Sequence, residues 1–392
     1  MTDTRSKSTR SSTATRTSSG ATLRIKKPEP TSTIAPLLEA WFRACARDLP
    51  WRQTRNGYFA LVSELMLQQT QVARVLEKFA PFVARFPSPA ALAAASEDEV
   101  LAAWQGLGYY RRARLLQAAA VRIVEVHGGV VPSDLESLAA LPGVGRYTAG
   151  AIASIVFGVR TPIVDGNVSR VLQRVGAKAG ASNDAAVSSW TWERARQYAF
   201  AADDVGVANE ALMEFGGTIC TPAAPRCGAC PIAHLCQAHA RGQVAQIPAP
   251  KIRSPRSEVV MVCVRVTRDD GAVLLEQRPA RGLWASMYQP PTVALTIEPA
   301  KGITPARAAK GITPARAAKL VAIACKCKKV GELEVITSHR VVRFVVFEAQ
   351  LRGEFPAAKQ LTSPSRVFVS QAKLREFALS NAAKRVLALA AK

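Results

Sequence analysis

Four cysteines, two carboxylates and a glycine turn are the residues of this chain whose types and spacing invite chemistry. Cys220, Cys227, Cys230 and Cys236 are separated by six, two and five residues, which lets four thiolates converge around one small inorganic centre. Zinc and a four-iron cluster both accept four thiolates, and the spacing favours neither, because structural zinc usually shows two short knuckles and here one gap is short. Asp165, in Ile163-Val-Asp-Gly-Asn-Val-Ser-Arg170, stands just before a helical run and reads as an N-cap. A capping carboxylate is held in one orientation and kept ionised by backbone N–H groups and the helix dipole, as a stabiliser of developing positive charge must be. Glu64, in Ser63-Glu-Leu-Met-Leu-Gln-Gln-Thr-Gln71, lies beside an apolar stripe, where burial raises a carboxyl pKa and lets it keep a proton at neutral pH. Taken alone, each acid also has a plain reading, as an ordinary cap and as a solvated side chain. Leu141-Pro-Gly-Val-Gly-Arg-Tyr-Thr-Ala-Gly150 puts Gly143 and Gly145 in a tight turn that opens a helix. Its free N–H groups suit an anion, although many helix pairs need such a glycine for geometry alone.

The elements that carry these residues fall into two halves. From Thr33 the text is helical: Leu61, Leu65, Val72, Leu76 and Phe79 recur at intervals of three, four or seven, and Pro87, Pro89, Gly106, Gly108, Pro132, Pro142 and Pro162 cut the run into segments of ordinary helix length. Residues 33–240 therefore read as one all-α domain. Gln246 to Arg256 holds three prolines, and 241–256 reads as an interdomain linker. Beyond it, two β-rich runs flank Arg268-Asp-Asp-Gly271, a hairpin signature, and His339 to Leu351 adds another. With helices expected near 305–323 and 371–390, residues 257–392 read as an α+β domain. Within it GITPARAAK occurs twice in tandem, at 302–310 and 311–319, too short and too few for a solenoid.

Composition narrows the partner. Lys and Arg outnumber Asp and Glu by 52 to 29, a net charge of +23, which concentrates polyanions, so nucleic acid is the first partner to consider. Residues 1–32 are rich in Ser, Thr and basic side chains with few acids, the composition of a disordered basic arm or of a transit peptide. No stretch approaches the roughly 18 to 20 apolar residues of a membrane span, and the start lacks a secretory signal. The expected setting is a reducing compartment, the cytoplasm and its nucleoid if the source is bacterial, where clustered cysteines read as a metal site.

SELMLQQTQV, GLGYYRRARLL (106–116), LPGVGRYTAGAI, VDGNVSRVL and ANEALMEFG (208–216) occur in one order, and with the cysteine spacing they make residues 35–240 resemble the MutY family of DNA glycosylases, relatives of endonuclease III. The resemblance implies a multidomain fold: an all-α helix-hairpin-helix glycosylase domain with an iron-sulfur loop, then an α+β MutT-like (Nudix-like) domain. It implies hydrolysis of the N-glycosidic bond of adenine opposite 8-oxoguanine or guanine in duplex DNA, by a monomer, with a [4Fe-4S] cluster on Cys220, Cys227, Cys230 and Cys236. Adenine leaves deoxyribose only when protonated, and the sugar passes through an oxocarbenium-like state, a task for two carboxylates.

On the family pattern Glu64 is the general acid and Asp165 the stabilising carboxylate, with Tyr147 and Asn167 supporting the transition state. Arg47, Trp51, Arg52, Leu67 and Glu210 shape the adenine pocket. Gln69 wedges into the duplex as the base is extruded, Thr70, Leu107 and Tyr109 lie near 8-oxoguanine, and Gly143 and Gly145 grip phosphate. Endonuclease III relatives carry a Schiff-base lysine where this chain has Tyr147, so base removal without strand cutting is expected. In the second domain Gly282-Leu-Trp-Ala-Ser-Met-Tyr288 and the Thr337-Ser-His-Arg340 turn resemble the MutT-like lesion sensor, with Ser338 and His339 as contacts for 8-oxoguanine. Thr337 departs from the usual Phe, and the glycine and glutamate helix of Nudix hydrolases is missing, so this domain is expected to bind rather than hydrolyse. The rival readings are a thymine-excising glycosylase on the same scaffold and a non-catalytic iron-sulfur protein that binds DNA.

Overall fold

A computed structural model describes residues 30–250, 256–295, 309, 311–322, 326–351 and 365–389. The basic arm apart from its last three residues, linker residues 251–255 and nearly all of the first GITPARAAK copy lie outside them.

The first half is helical: α1 (Pro30–Cys45), α2 (Gly57–Leu67), α3 (Val72–Arg85), α4 (Pro89–Ala94), α5 (Glu97–Ala103), α6 (Arg111–His127), α7 (Leu135–Ala139), α8 (Arg146–Phe157), α9 (Gly166–Val175), α10 (Ala185–Ala201), α11 (Val205–Thr218) and α12 (Gln237–Ala240). Local chemistry sets many of the starts. Asn56, Ser88, Ser96, Asp134, Asp165, Asp184 and Asp204 each accept a hydrogen bond from a first-turn N–H of the helix that follows. Such caps contribute about 1 kcal/mol apiece. The helices pack into two apolar cores, one around Leu61, Leu65, Phe82 and Trp104 and the other around Leu38, Val171, Tyr198 and Phe215.

The stripe expected from Leu61 to Phe79 is not one helix face. α2 stops at Leu67, Gln69 takes a left-handed φ of 55°, and Leu76 on α3 is 39% exposed. The break sends Gln69 outward while Glu64, one turn earlier, stays buried.

The second half is a seven-stranded mixed sheet: β1 (Ser257–Arg268), β2 (Val273–Gln277), β3 (Tyr288–Gln289), β4 (Thr292–Leu295), β5 (Lys328–Ile336), β6 (Arg340–Leu351) and β7 (Arg366–Val369). The order is β3-β2-β1-β6-β5, with β4 also paired to β1 and β7 to β2. β1 and β6 run parallel over their whole length, from Ser257 opposite Arg340 to Arg268 opposite Leu351. The expected hairpin forms, its turn closed by the Gly271 N–H on the Arg268 carbonyl, with Gly271 at φ 79°. The helix expected at 371–390 is instead a 3-10 turn, Gln371–Glu376, and a separate helix, Asn381–Leu387, that Ser380 caps. In the second repeat copy Thr313 caps a helix at Pro314–Leu320.

The two halves share a core. Met287 and Ala378 are fully buried in the same apolar cluster as Trp104, and Trp284 packs on that cluster while stacking on Phe344 of β6 at 5.8 Å. Gln105 and Tyr110 donate to the Leu379 carbonyl at 3.2 and 3.4 Å, and Arg114 donates to that of Ala285. The segment 282–288, expected to serve lesion sensing, thus forms much of the domain junction. On the helical side, Ile247 in the linker accepts from Arg174 Nε at 2.8 Å, so the linker starts docked. Among the described residues no helix is long and apolar enough to cross a membrane.

Candidate active site

A cleft of about 840 Å³ opens where the two helical cores meet. Its walls carry Glu64 from α2, the turn before α8, the start of α9 and one face of α11. Of the residues named from sequence, Arg47, Trp51, Arg52, Glu64, Leu67, Gln69, Thr70, Gly143, Gly145, Tyr147, Asp165, Asn167 and Glu210 all line it. Leu107, Tyr109, Ser338 and His339 do not; Tyr109 and Ser338 meet each other at the domain junction, hydroxyl to hydroxyl.

Glu64 is buried on α2, and burial pushes its carboxyl up to about 7. A hydrogen bond with Tyr147 and the field of Arg52 pull it down, while the charges of Asp165 and Glu210 push it up. Tyr147 also lies 2.9 Å from Met213 Sδ, and burial beside Glu64 and Asp165 holds its phenol well above the usual range. Asp165 caps α9 as expected, its Oδ1 accepting from the Val168 N–H at 2.7 Å and its Oδ2 from Asn167 Nδ2 at 3.2 Å. Burial nevertheless raises its pKa, outweighing those bonds and the field of Arg170. Burial therefore favours the protonated form of both acids, and at Asp165 the N–H partners oppose it.

The turn before α8 leaves its N–H groups unobstructed. Gly145 is the N-cap with no side-chain partner, and a Cβ added there meets nothing within 4 Å. Gly143 is obligatory, because its φ is 80° and a Cβ would lie 2.8 Å from that of Leu115. Arg146 opens α8 with its guanidinium 3.6 Å from the ring centre of Trp192. Helix dipole and cation together suit a phosphate.

One end of the cleft is an arginine and glutamate network. Arg47 grips Glu214 with two bonds of 2.5 and 2.8 Å, Arg52 reaches Glu214 at 3.1 Å and Glu210 at 3.0 Å, and Arg55 reaches Glu210 at 3.2 Å. Glu214 escaped the sequence reading, although it sits one helical turn after Glu210. Arg112 escaped it too. Its buried guanidinium donates to the carbonyls of Leu65, Met66, Gln68, Leu107 and Gly108 and to Thr70 Oγ1. It thereby staples the turn bearing Gln69 to the turn bearing Tyr109, two residues held in the left-handed region at φ 55° and 48°. Such strain persists only where surrounding bonds over-determine it.

The four cysteines line a separate, small cavity of about 20 Å³, walled by Val171, Phe215, Ile219 and Ile232. None is in a disulfide. Arg170 and Arg174 of α9 fix the loop, donating to the carbonyls of Cys220 at 2.8 Å, Thr221 at 2.7 Å and Pro222 at 3.0 Å, and Arg174 Nη1 lies 3.4 Å from Cys220 Sγ.

Residues 62–197 match the HhH-GPD superfamily of base excision DNA repair proteins, and residues 261–389 match the NUDIX domain. The chain is 37% identical over 402 residues to the adenine DNA glycosylase of Rattus norvegicus, covering 89% of this chain and 76% of that one. It is 35% identical over 404 residues to the adenine DNA glycosylase of Homo sapiens, covering 89% and 72%. Against that of Mycobacterium tuberculosis it is 45% identical over 210 residues, covering 52% and 67%. With a helix-hairpin-helix half, a Nudix-like half and two acids in the cleft between helical cores, the chain belongs to the MutY family of adenine DNA glycosylases, hydrolases of base excision repair.

Proposed function

We propose that this enzyme removes adenine opposite 8-oxoguanine or guanine in duplex DNA, as a monomer and without cutting the strand. The observation that carries the mechanism is the buried Glu64, pushed up to about 7, in the same cleft as the capping Asp165. Protonated Glu64 gives its proton to the extruded adenine, so the C1′–N9 bond breaks with its electron pair on a neutral base. Asp165, oriented by the Val168 N–H and Asn167, faces the positive charge left on the sugar. The Glu64 carboxylate then takes a proton from the water that attacks C1′. Tyr147 has no amine with which to trap the sugar, which supports base removal alone. Ser338 and His339, at the tip of the β5–β6 hairpin, read the base opposite adenine.

The cysteine loop suits a [4Fe-4S] cluster held by Cys220, Cys227, Cys230 and Cys236: the four free thiols line one largely apolar cavity, and their six, two, five spacing is that of the iron-sulfur loop which the family resemblance implies. When bound, such a cluster would tie the end of α11 to the start of α12 through its four cysteine ligands. Purified protein should be brown; colourless protein with stoichiometric zinc refutes the assignment.

The activity is tested by incubating duplexes that hold 8-oxoG:A, G:A or G:T and resolving the strands with and without alkali. Strand cleavage at adenine, only after alkali and fastest opposite 8-oxoguanine, is the expected result. Cutting without alkali, or release of thymine, refutes the reading.

A further inference from the structure

The β5–β6 hairpin turns on Thr337, Ser338 and His339. The Thr337 N–H donates to the Arg340 carbonyl at 2.8 Å. The Thr337 hydroxyl closes the same pair again: Oγ1 accepts from the Arg340 N–H at 3.0 Å and donates to the Arg340 carbonyl at 3.0 Å. On the far side of the tip, the His339 carbonyl accepts from the Ser257 N–H at 3.1 Å, at the start of β1. With backbone pinned on both flanks, Ser338 spans the domain junction to the Tyr109 hydroxyl. Tyr109 belongs to the strained turn that Arg112 ties to the turn bearing Gln69, so the hairpin tip is coupled through Arg112 to the wall of the catalytic cleft.

We propose that Thr337 is a positioning residue for discrimination of the base opposite adenine: its hydroxyl fixes the tip in the one conformation that sets Ser338 against Tyr109. The assignment rests on the reading of Ser338 as a contact for that base. Valine at 337 keeps the β-branched shape and deletes both hydroxyl bonds, leaving the Arg340 N–H without its partner; serine keeps the bonds and loses only a methyl group. A hydrogen bond of this kind corresponds to about fivefold in an equilibrium.

The experiment measures single-turnover excision from 8-oxoG:A and G:A duplexes by full-length wild type, Thr337→Val, Thr337→Ser and Ser338→Ala, with hydrogen exchange at the Arg340 amide. The expected result is a ratio of 8-oxoG:A to G:A rates about fivefold lower in Thr337→Val, faster exchange at Arg340, and return of both in Thr337→Ser. If Ser338→Ala lowers the ratio while Thr337→Val leaves it at the wild-type value, the positioning role is overturned. If the wild type shows no preference, or Ser338→Ala leaves it intact, the lesion reading of the hairpin fails and Thr337 loses its role with it.

Discussion

The Asp165 carboxylate strengthens the hold of Glu64 on its proton, adding to what burial alone achieves. Two acids in one cleft thus become unlike acids, one a proton donor near neutrality and one held by N–H groups. Because the donor must be protonated, adenine excision should slow as pH rises through about 7. Single-turnover rates at saturating enzyme between pH 5.5 and pH 9 check this, and a flat profile across that window removes Glu64 as the acid.

The same shift sets a stability expectation. The folded-state value of about 7 lies above the ordinary 4.5, so folding binds this proton more tightly. That contribution is fully present below the ordinary value and is lost as pH rises through about 7. Glu64→Gln should abolish adenine release, keep duplex binding, and at pH 8 melt above the wild type, by up to roughly 3 kcal/mol of stability. At pH 4.5 the advantage should vanish. Normal excision by this variant, or a lower melting point at pH 8, contradicts the assignment.

Tyr147 lines the cleft beside both Glu64 and Asp165. Tyr147→Lys should gain some strand nicking and yield a covalent adduct with DNA under borohydride. A protein that gives no trapped species places that residue too far from C1′.

Arg112 satisfies acceptors from two separate segments with one planar group, which an ammonium cannot reproduce. Arg112→Lys should cost roughly 3 kcal/mol of stability in denaturant unfolding and reduce excision of adenine. An unchanged unfolding midpoint means that the two turns hold themselves.

Deleting residues 257–392 removes Ser338 and also Met287 and Ala378 from the shared core. The expected product excises adenine slowly from G:A, prefers 8-oxoG:A about five-fold to a hundred-fold less than the full chain, and melts lower. Full preference in the truncated protein relocates lesion sensing to the helical half.

What could be read from sequence was chemistry written locally. The N-cap at Asp165, the glycines of the turn and the cysteine loop are each encoded within seventeen residues or fewer, and the motifs that carry them fall in one cleft or one cavity. Arg112 stayed hidden because its partners are mostly backbone carbonyls, which have no residue signature, brought from as far as Leu65 by tertiary packing. Trp284 and Met287 looked like part of a binding surface because an aromatic and a methionine serve a domain junction as well as a ligand. β5 was missed because a bulge between Lys329 and Gly331 breaks the two-residue period of Val330, Leu333 and Val335, and Lys and Glu occupy most of the other positions.

α9 begins at the Asp165 cap and ends where Arg174 holds the cysteine loop, and its ten residues span about 15 Å. A short, buried helix moves largely as one body, so slack at the loop reaches the carboxylate at its other end. Damage to the loop should therefore read out first as slowed turnover, at temperatures where the fold is still intact. Loosening of that loop would disarm this enzyme before unfolding it.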